Sequence, residues 1–519
     1  LEQALRILAP IVFVLLAAGL FCAVSLVPHL HLVNTRYLFD FSLFAMVLAV
    51  LALALAETMR ALFHRKGEGR TIFTLAACLM IFVPVYLWNP RPQPNVIVLV
   101  LDSLRADHLG CYGYGRPTSP NLDRFSEDAL LFERCMSQSA GTDKSLPAIF
   151  ASIYPSMFYD PAKDGKNFYV PDRFMLLSQY LKAAGYLTWA FSANPHISIA
   201  MNYARGCDEF TEFWREDCRP ATLERYFREK VEASRGEPFY LGGLIIEPHT
   251  PYDPPAEFNI FSKDRSLTFS YLFDLGVKLG FPMEIVNPLM DLYDGEIYEA
   301  DAALGRFLGW LDEEGHLDNT IILITSDHGE AFKEHGVLGH GGILYEERIH
   351  IPLIARFPSP LRFPELRPRG KVSMLTSQVD FVPTLLGFLG KKWDREITQG
   401  RNLIPYLYDK KSTPSGEQVF LEELISEHSI RCLRGADWKL ITADRRKEGK
   451  EDYLFQISKD PEEQSNLAGA NQFEPVRESL SREIRNRRDR CRRFYAEKGK
   501  AGELDRETLE KLRELGYGH

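Results

Sequence analysis

The chain has 519 residues, 61 Lys+Arg against 70 Asp+Glu for a formal charge of −9, and 45% hydrophobic residues. That much apolar material excludes a disordered chain, and 8 Cys in this length exclude a disulfide-stapled scaffold. The acidic balance leaves no electrostatic footprint for nucleic acid.

A mean hydropathy of −0.17 averages over two unlike parts. Residues 1–90 balance to +2 and hold three apolar runs, Ile7–Val27, Phe41–Ala56 and Thr71–Trp88. A bilayer core takes about 20 apolar residues as a helix. The first and third runs meet that length, and the second does so once Tyr37–Met59 is counted. The expectation is a three-helix transmembrane anchor over residues 1–93. Arg60, Arg65, Lys66 and Arg70 lie between the second and third runs, against Arg36 alone between the first and second. The positive-inside rule therefore places the rest of the chain outside the cytoplasm. The chain opens on Leu1, which reads as a trimmed start with room for earlier helices. Six cysteines, Cys111, Cys135, Cys207, Cys218, Cys432 and Cys491, follow the apolar block; they suit disulfides, with Cys207–Cys218 the nearest pair, and free buried thiols equally.

The remainder from residue 91 carries −11, and from Asn95 it alternates strand and helix patterns. Val96–Leu101, Leu241–Ile246 and Ile321–Thr325 are continuous apolar runs of the kind buried in a parallel sheet. Ile297, Ala300, Leu304, Phe307 and Leu311 share one helix face that ends near Gly315, and Asp380–Gly390 reads as a shorter helix. The pattern predicts an α/β domain over residues 94–414, with its site beyond the carboxyl ends of the strands. Tyr252–Asn287 has no readable pattern and is expected to hold specificity loops. Residues 415–475 read as a small antiparallel subdomain. Residues 476–519 form a charged helical tail whose arginines suit a solvated face or, less well, anionic lipid heads.

Two strand ends are polar where burial makes polarity costly: Asp102 after VIVLV, and Asp327-His328 after IILIT. Alone, each also reads as a cap or a turn; together in one parallel sheet they suit a divalent metal. The segment AGTDKSLPAIFASIYPS offers Thr142 and Ser145 as hydroxyl nucleophiles and Lys144 as a nearby cation, and it also reads as a helix start. His249 in EPHTPYDPP and His335 and His340 in KEHGVLGHGG are further ligand or proton-donor candidates.

PNVIVLVLDSLRADHLGCYGYGRPTSPNLDRF, HTPY, TSDHGEAFKEHGVLGHGGILYEERIHIPLI and YLFQISKDPEEQSNLA together resemble the sulfatase family of the alkaline-phosphatase superfamily over about Pro94 to Ala468. The resemblance implies an α/β sandwich followed by a small C-terminal antiparallel sheet. It departs at the nucleophile. Sulfatases carry Cys or Ser in C/S-x-P-x-R, converted to formylglycine, whereas Ser145-Leu146-Pro147 is followed by Ala148 and Ile149. In this family the nucleophile precedes a Tyr-Pro pair by twelve residues, and from Tyr154 that spacing reaches Thr142. Thr142, Ser145 and Pro147 form T-x-x-S-x-P, which resembles membrane-anchored phosphoethanolamine transferases; lipoteichoic-acid synthases likewise use Thr. Those groups usually begin the domain with Glu where this chain has Asp102.

Carried over, the resemblance implies that Asp102, Thr142, Asp327 and His328 hold one divalent metal, zinc or manganese, with calcium or magnesium as alternatives. Thr142 would be the nucleophile, with His249 and His340 binding the transferred group or protonating the leaving group. Lys144, Arg105 and His335 are weaker substrate contacts. The leading expectation is an enzyme anchored in the plasma (inner) membrane, its catalytic domain extracytoplasmic or periplasmic. It would transfer or hydrolyse a phosphate-containing ester on lipid or envelope glycan. The alternatives are a sulfuric ester hydrolase and a non-catalytic envelope lipid sensor. Its partners are the membrane and that ester, with no nucleic acid.

Overall fold

Every residue of the run that opens the globular part, strand β1 (Asn95–Leu101), is buried. The computed structural model describes residues 93–164, 168–215, 218–358, 368–408, 417–425, 428–445 and 449–495, together with Glu510. The chain divides into two units, Leu1–Pro92 and Gln93–His519, and the described residues belong to the second. The three-helix anchor expected over residues 1–93 therefore lies, apart from Gln93, outside the described residues, as does the tail beyond residue 495 apart from Glu510. Among the described residues no helix is long and apolar enough to cross a membrane.

In chain order β1 is followed by β2 (Leu130–Phe132), β3 (Leu187–Ser192), β4 (Glu209–Glu212), β5 (Phe239–Ile245), β6 (Thr320–Ser326), β7 (Leu353–Arg356) and β8 (Gly370–Val372). Among the described residues these form one sheet in the order β8-β2-β7-β6-β1-β5-β3-β4. Neighbours run parallel except at β7, which is antiparallel to both β6 and β2. Alternation along the central strands divides the core between the two faces. Val96, Val98 and Val100 pack on one side with Tyr240, Leu244, Ile321 and Leu323. Ile97, Leu99 and Leu101 pack on the other with Leu241, Ile245, Ile322 and Ile324. Burial on both faces is what a continuous apolar run demands.

Helix α1 (Thr142–Ala151) covers the first face, where Leu146 and Ile149 join its core. Helices α2 (Pro220–Ala233), α3 (Phe269–Leu279) and α4 (Met283–Glu313) cover the second. The helix expected around Ile297–Leu311 is thus much longer and continues through Pro288, while Gly315, at φ 72, turns the chain just beyond its end. Helix α5 (Phe381–Phe388) lies where Asp380–Gly390 predicts one. The stretch with no readable pattern holds α3 and the start of α4.

The C-terminal sheet is antiparallel and ordered along the chain: β9 (Gln418–Ile425), β10 (His428–Gly435), β11 (Trp438–Arg445) and β12 (Gly449–Gln456). Helix α6 (Glu474–Arg492) buries Leu480, Ile484 and Cys491. Arg482, Arg485, Arg490, Arg492 and Arg493 lie on its exposed face, while Arg487 pairs with Glu483 at 2.8 Å and donates to the Gln418 carbonyl at 3.2 Å. The segment is an amphipathic helix with one packed face and one solvated, arginine-bearing face. Among the described residues no disulfide forms, so Cys207 and Cys218 are not joined. Cys135, Cys432 and Cys491 are buried and act as small apolar side chains.

Candidate active site

Strands β1 and β6 pair in parallel with Leu101 level with Ser326. The next residues, Asp102 and Asp327, therefore leave the sheet side by side at its carboxyl edge, where open α/β sheets bind ligands. Ligand atoms of Asp102, Asp327 and His328 all lie within 4.8 Å of one another, and the three side chains are fully buried. Thr142 enters from the other direction as the first residue of α1. Its Oγ1 lies 3.0 Å from His328 Nε2 and 3.5 Å from Asp102 Oδ1. The amino end of a helix carries partial positive charge, which favours an anionic group at this point.

The cluster is held by short-range hydrogen bonds. Asn194 Nδ2 donates to Asp102 Oδ2 at 2.7 Å, and Ser103 Oγ donates to Asp102 Oδ1 at 3.2 Å. The backbone N–H groups of Ser103 and His328 donate to Asp327 Oδ1 at 3.0 and 2.8 Å. Ser103 adopts φ 63 to present its amide this way, and its carbonyl accepts from Tyr293 Oη at 2.8 Å. Asp327 Oδ2, by contrast, is buried without a hydrogen bond of ordinary geometry.

Burial pushes the Asp102 carboxyl well above its usual range, and the neighbouring Asp327 adds to the effect. Burial likewise pushes Asp327 up to about 6. His328 is pushed down to about 3 by burial, reinforced by His340. Two crowded carboxylates, an uncommitted carboxylate oxygen and a neutral imidazole are the donor set of a divalent cation, so the residues present fit a metal.

His249 and His340 complete one wall. Their ring centroids are 4.9 Å apart, and His340 lies 4.6 Å from His328. Burial holds His249 well below the usual histidine range, with His340 and His328 adding to it. Burial also opposes charge on His340, but Glu330, whose Oε2 lies 3.4 Å from Nδ1, outweighs it and holds the imidazole above its ordinary value.

The structure thus gathers Asp102, Thr142, Asp327, His328, His249 and His340 at one place. The weaker substrate candidates are engaged by other side chains and carbonyls. Lys144 is buried between Asp143 at 2.6 Å and Glu423 at 3.2 Å. Arg105 is taken up by Asp107, by Glu334 and by the Glu330 carbonyl. His335 stacks on Tyr345 at 3.7 Å and spends its nitrogens on Glu347 and the Glu463 carbonyl. Each answers one charge near in sequence, from Asp143, Asp107 or Glu347, and another group from a distant part of the chain. Ser145 sits in α1 with its Oγ on the Thr142 carbonyl at 3.3 Å.

Sequence reasoning missed Asn194, His196 and Glu330. His196 is buried, pushed down to about 4 by burial, and feels Asp143, His340 and Asp327. Asn194 and His196 follow β3, whose sequence LTWAFS is not a continuous apolar run, so the strand-end rule that found Asp102 and Asp327 did not reach them. Glu330 lies in the TSDHGE motif itself.

Comparison with known proteins agrees with this geometry. The family described as Sulfatase matches residues 94–391. The family described as N-sulphoglucosamine sulphohydrolase, C-terminal, matches residues 333–490. An arylsulfatase of Clostridium perfringens is 25% identical over 478 residues, covering 76% of this chain and 95% of that protein. A solved structure in complex with D-glucosamine-2-N,6-O-disulfate superposes with a TM-score of 0.62 at 20% identity, covering 77% of this chain and 98% of the other. The phosphonate monoester hydrolase of Agrobacterium radiobacter superposes with a TM-score of 0.60 at 20% identity, covering 77% and 96%. With the family match spanning more than half of the sequence and enclosing every residue of the cluster, the chain belongs to the sulfatase family.

Proposed function

We propose that the chain hydrolyses a sulfuric ester on a glycan or lipid, with Thr142 as the nucleophile beside one divalent metal. The observation that carries this reading is the place of Thr142 Oγ1, 3.0 Å from His328 Nε2 and 3.5 Å from Asp102 Oδ1. Asp102, Asp327 and His328 would hold the metal, with Thr142 completing the set. Zinc or manganese suits this oxygen-and-nitrogen donor set better than calcium or magnesium. When bound, such a metal supplies Lewis-acid charge and lowers the pKa of a coordinated hydroxyl. Thr142 Oγ, its proton lost to solvent, is then placed to attack sulfur in line as the opposite sulfur–oxygen ester bond breaks. Water would in turn release sulfate from Thr142 Oγ and restore the hydroxyl. His340, paired with Glu330, is placed to give the leaving oxygen a proton, and neutral His249 to hydrogen-bond the group being transferred. The sulfatase relatives support the sulfuric ester, and the bound glucosamine disulfate of one fold neighbour supports a glycan.

One observation favours a second reading. The hydroxyl at the site belongs to Thr142, whereas Ser145, which keeps the S-x-P of the formylglycine pattern, lies one turn along α1. An unmodified hydroxyl suits a phosphate or phosphonate ester, hydrolysed or transferred to an acceptor. In either case the apolar runs at 7–88 and their basic link support a domain tethered to the plasma (inner) membrane and facing away from the cytoplasm. Family membership with every ligand position filled leaves the non-catalytic sensor without support.

The test uses the full chain in lipid nanodiscs. It is assayed on p-nitrophenyl sulfate, p-nitrophenyl phosphate and bis-p-nitrophenyl phosphate, with metal content measured and covalent adducts sought by intact mass. Faster turnover of the sulfate with an adduct on Thr142 supports the first reading, and faster turnover of a phosphate ester supports the second. Full activity in Thr142→Ala would sink both.

A further inference from the structure

His340 stands on neither a helix nor a strand. It follows the short strand Leu338–Gly339, which pairs with Ala331–Phe332, and lies in a turn, residues 339–343, made largely of glycine. Gly339, Gly341 and Gly342 have φ 84, 77 and 75, a region that glycine enters at little cost. Such a turn has few side chains of its own to fix it. A proton donor, however, must hold its nitrogen within hydrogen-bond reach of the leaving oxygen.

Arg348 holds the turn. It is 4% exposed, and its guanidinium donates from Nε to the Gly339 carbonyl at 3.2 Å and from Nη1 to the Ile343 carbonyl at 3.3 Å. The two carbonyls bracket His340 in the chain. The main chain of Arg348 is fixed as well, because its carbonyl accepts at 2.8 Å from the amide of Gly329, the residue between His328 and Glu330. On its other side the turn meets the nucleophile segment, where the Gly341 amide donates to the Ala140 carbonyl at 2.6 Å. The carboxylates around the guanidinium are engaged by other bases: Glu347 by His335, Glu330 by His340, Glu423 by Lys144 and Glu334 by Arg105. Among the described residues Arg348 forms no ion pair.

We propose that Arg348 is a positioning residue for the proton donor: its fork spans the two carbonyls and thereby fixes the His340 imidazole at the leaving oxygen. This rests on the assignment of His340 to leaving-group protonation. A planar guanidinium with donors on separate nitrogens reaches two carbonyls at once, which a single ammonium on a flexible stem does not.

The test uses the full chain in lipid nanodiscs and two esters of whichever anion wild type turns over, sulfate or phosphate. The 4-nitrophenyl ester loses its leaving group readily without a proton, whereas the phenyl ester needs one. Arg348→Met is expected to raise the ratio of kcat/KM for the nitrophenyl over the phenyl ester by at least about tenfold, as His340→Gln does, since general acid catalysis contributes about 10²–10⁴-fold. KM for the nitrophenyl ester and metal content are expected to stay near those of wild type. The double variant is expected to match His340→Gln alone, because both changes remove one contribution. Arg348→Lys keeps the charge and loses the fork; it is expected to raise the ratio too, and serves should Arg348→Met not fold. A wild-type ratio in Arg348→Lys would place the role in the charge and overturn the proposal. Effects that multiply in the double variant would also overturn it. So would a raised KM with an unmoved ratio, which puts the guanidinium on the anionic group of the substrate. If the ratio moves in His340→Gln and in neither Arg348 variant, the proposal alone fails. If it is unmoved in His340→Gln, or neither pair of esters is turned over, the site reading fails with it.

Discussion

Thr142 Oγ1 and His328 Nε2 lie 3.0 Å apart although 186 positions separate them in the chain. One opens a helix and the other ends a central strand, so the contact exists only in the folded sheet. With the hydroxyl removed, no nucleophile remains beside Asp102, Asp327 and His328. Thr142→Ala is expected to lower kcat/KM by at least about 10³-fold while metal content stays near that of wild type. Thr142→Ser keeps the hydroxyl and is expected to retain activity. Ser145→Ala, which removes only a bond to the Thr142 carbonyl, is expected to change kcat/KM little. Steady-state kinetics with elemental analysis decide. Equal losses in the Thr142→Ala and Ser145→Ala variants would move the nucleophile.

Much of this arrangement is legible because buried parallel strands are continuous apolar runs, and a carboxylate directly after one is conspicuous. Asp102 and Asp327 stand out for that reason. Asn194 and His196 do not, because their strand, Leu187–Ser192, mixes Thr and Ser with aromatics and breaks the run. The long helix Met283–Glu313 is hidden in its first turns by Pro288, a residue that ordinarily ends a helix pattern. Helix α3 is hidden because two apolar flanks blur the single-face period by which amphipathic helices are read. Lys144, Arg105 and His335 each pair with one residue near in sequence and one far from it, and the far partners Glu423, Glu334 and Glu463 are announced by no local pattern.

Removing the metal is expected to cost stability as well as activity. Asp102 and Asp327 are buried together, and each is held above the usual carboxylate range. A cation bound only by the folded state contributes RT ln(1 + [L]/Kd), about 2.7 kcal/mol at a hundredfold excess over Kd. Chelator treatment is therefore expected to abolish turnover and lower the Tm, and readdition of zinc or manganese to restore both. An unchanged Tm after verified metal loss would count against the ligand set.

The pH profile reports on Glu330. Its carboxylate raises the His340 pKa against the opposing effect of burial, so the imidazolium is present below that raised value and is lost as pH rises through it. If His340 supplies the proton, kcat/KM declines on the alkaline side at that pKa. Glu330→Gln removes the charge that raises it. The alkaline limb of the kcat/KM profile is then expected to move to lower pH, with the metal bound in both proteins. A profile that falls in height but keeps its alkaline limb in place would remove His340 from proton donation.

Lys144 stands two residues from the nucleophile, and sequence alone makes it a candidate for the substrate's negative charge. Its surroundings argue for a structural role. The ammonium is buried between Asp143 and Glu423, at 2.6 and 3.2 Å, and lies 5.1 Å from the centre of the Phe168 ring. Burial opposes its charge, yet the two carboxylates outweigh that and raise its pKa. Glu423 belongs to β9 and also accepts from the Ala140 amide at 3.1 Å, so the ion pair ties the nucleophile segment to the C-terminal sheet. Removing one partner of a buried pair leaves the other charge uncompensated, at a cost of about 3–5 kcal/mol. Lys144→Met is expected to lose stability on that scale in chemical denaturation. Lys144→Met with Glu423→Gln is expected to recover part of it, because the more deeply buried of the two orphaned carboxylates is gone while Asp143 remains. Turnover per folded molecule should be similar in both variants. A raised KM with undiminished stability would instead place the ammonium on the substrate.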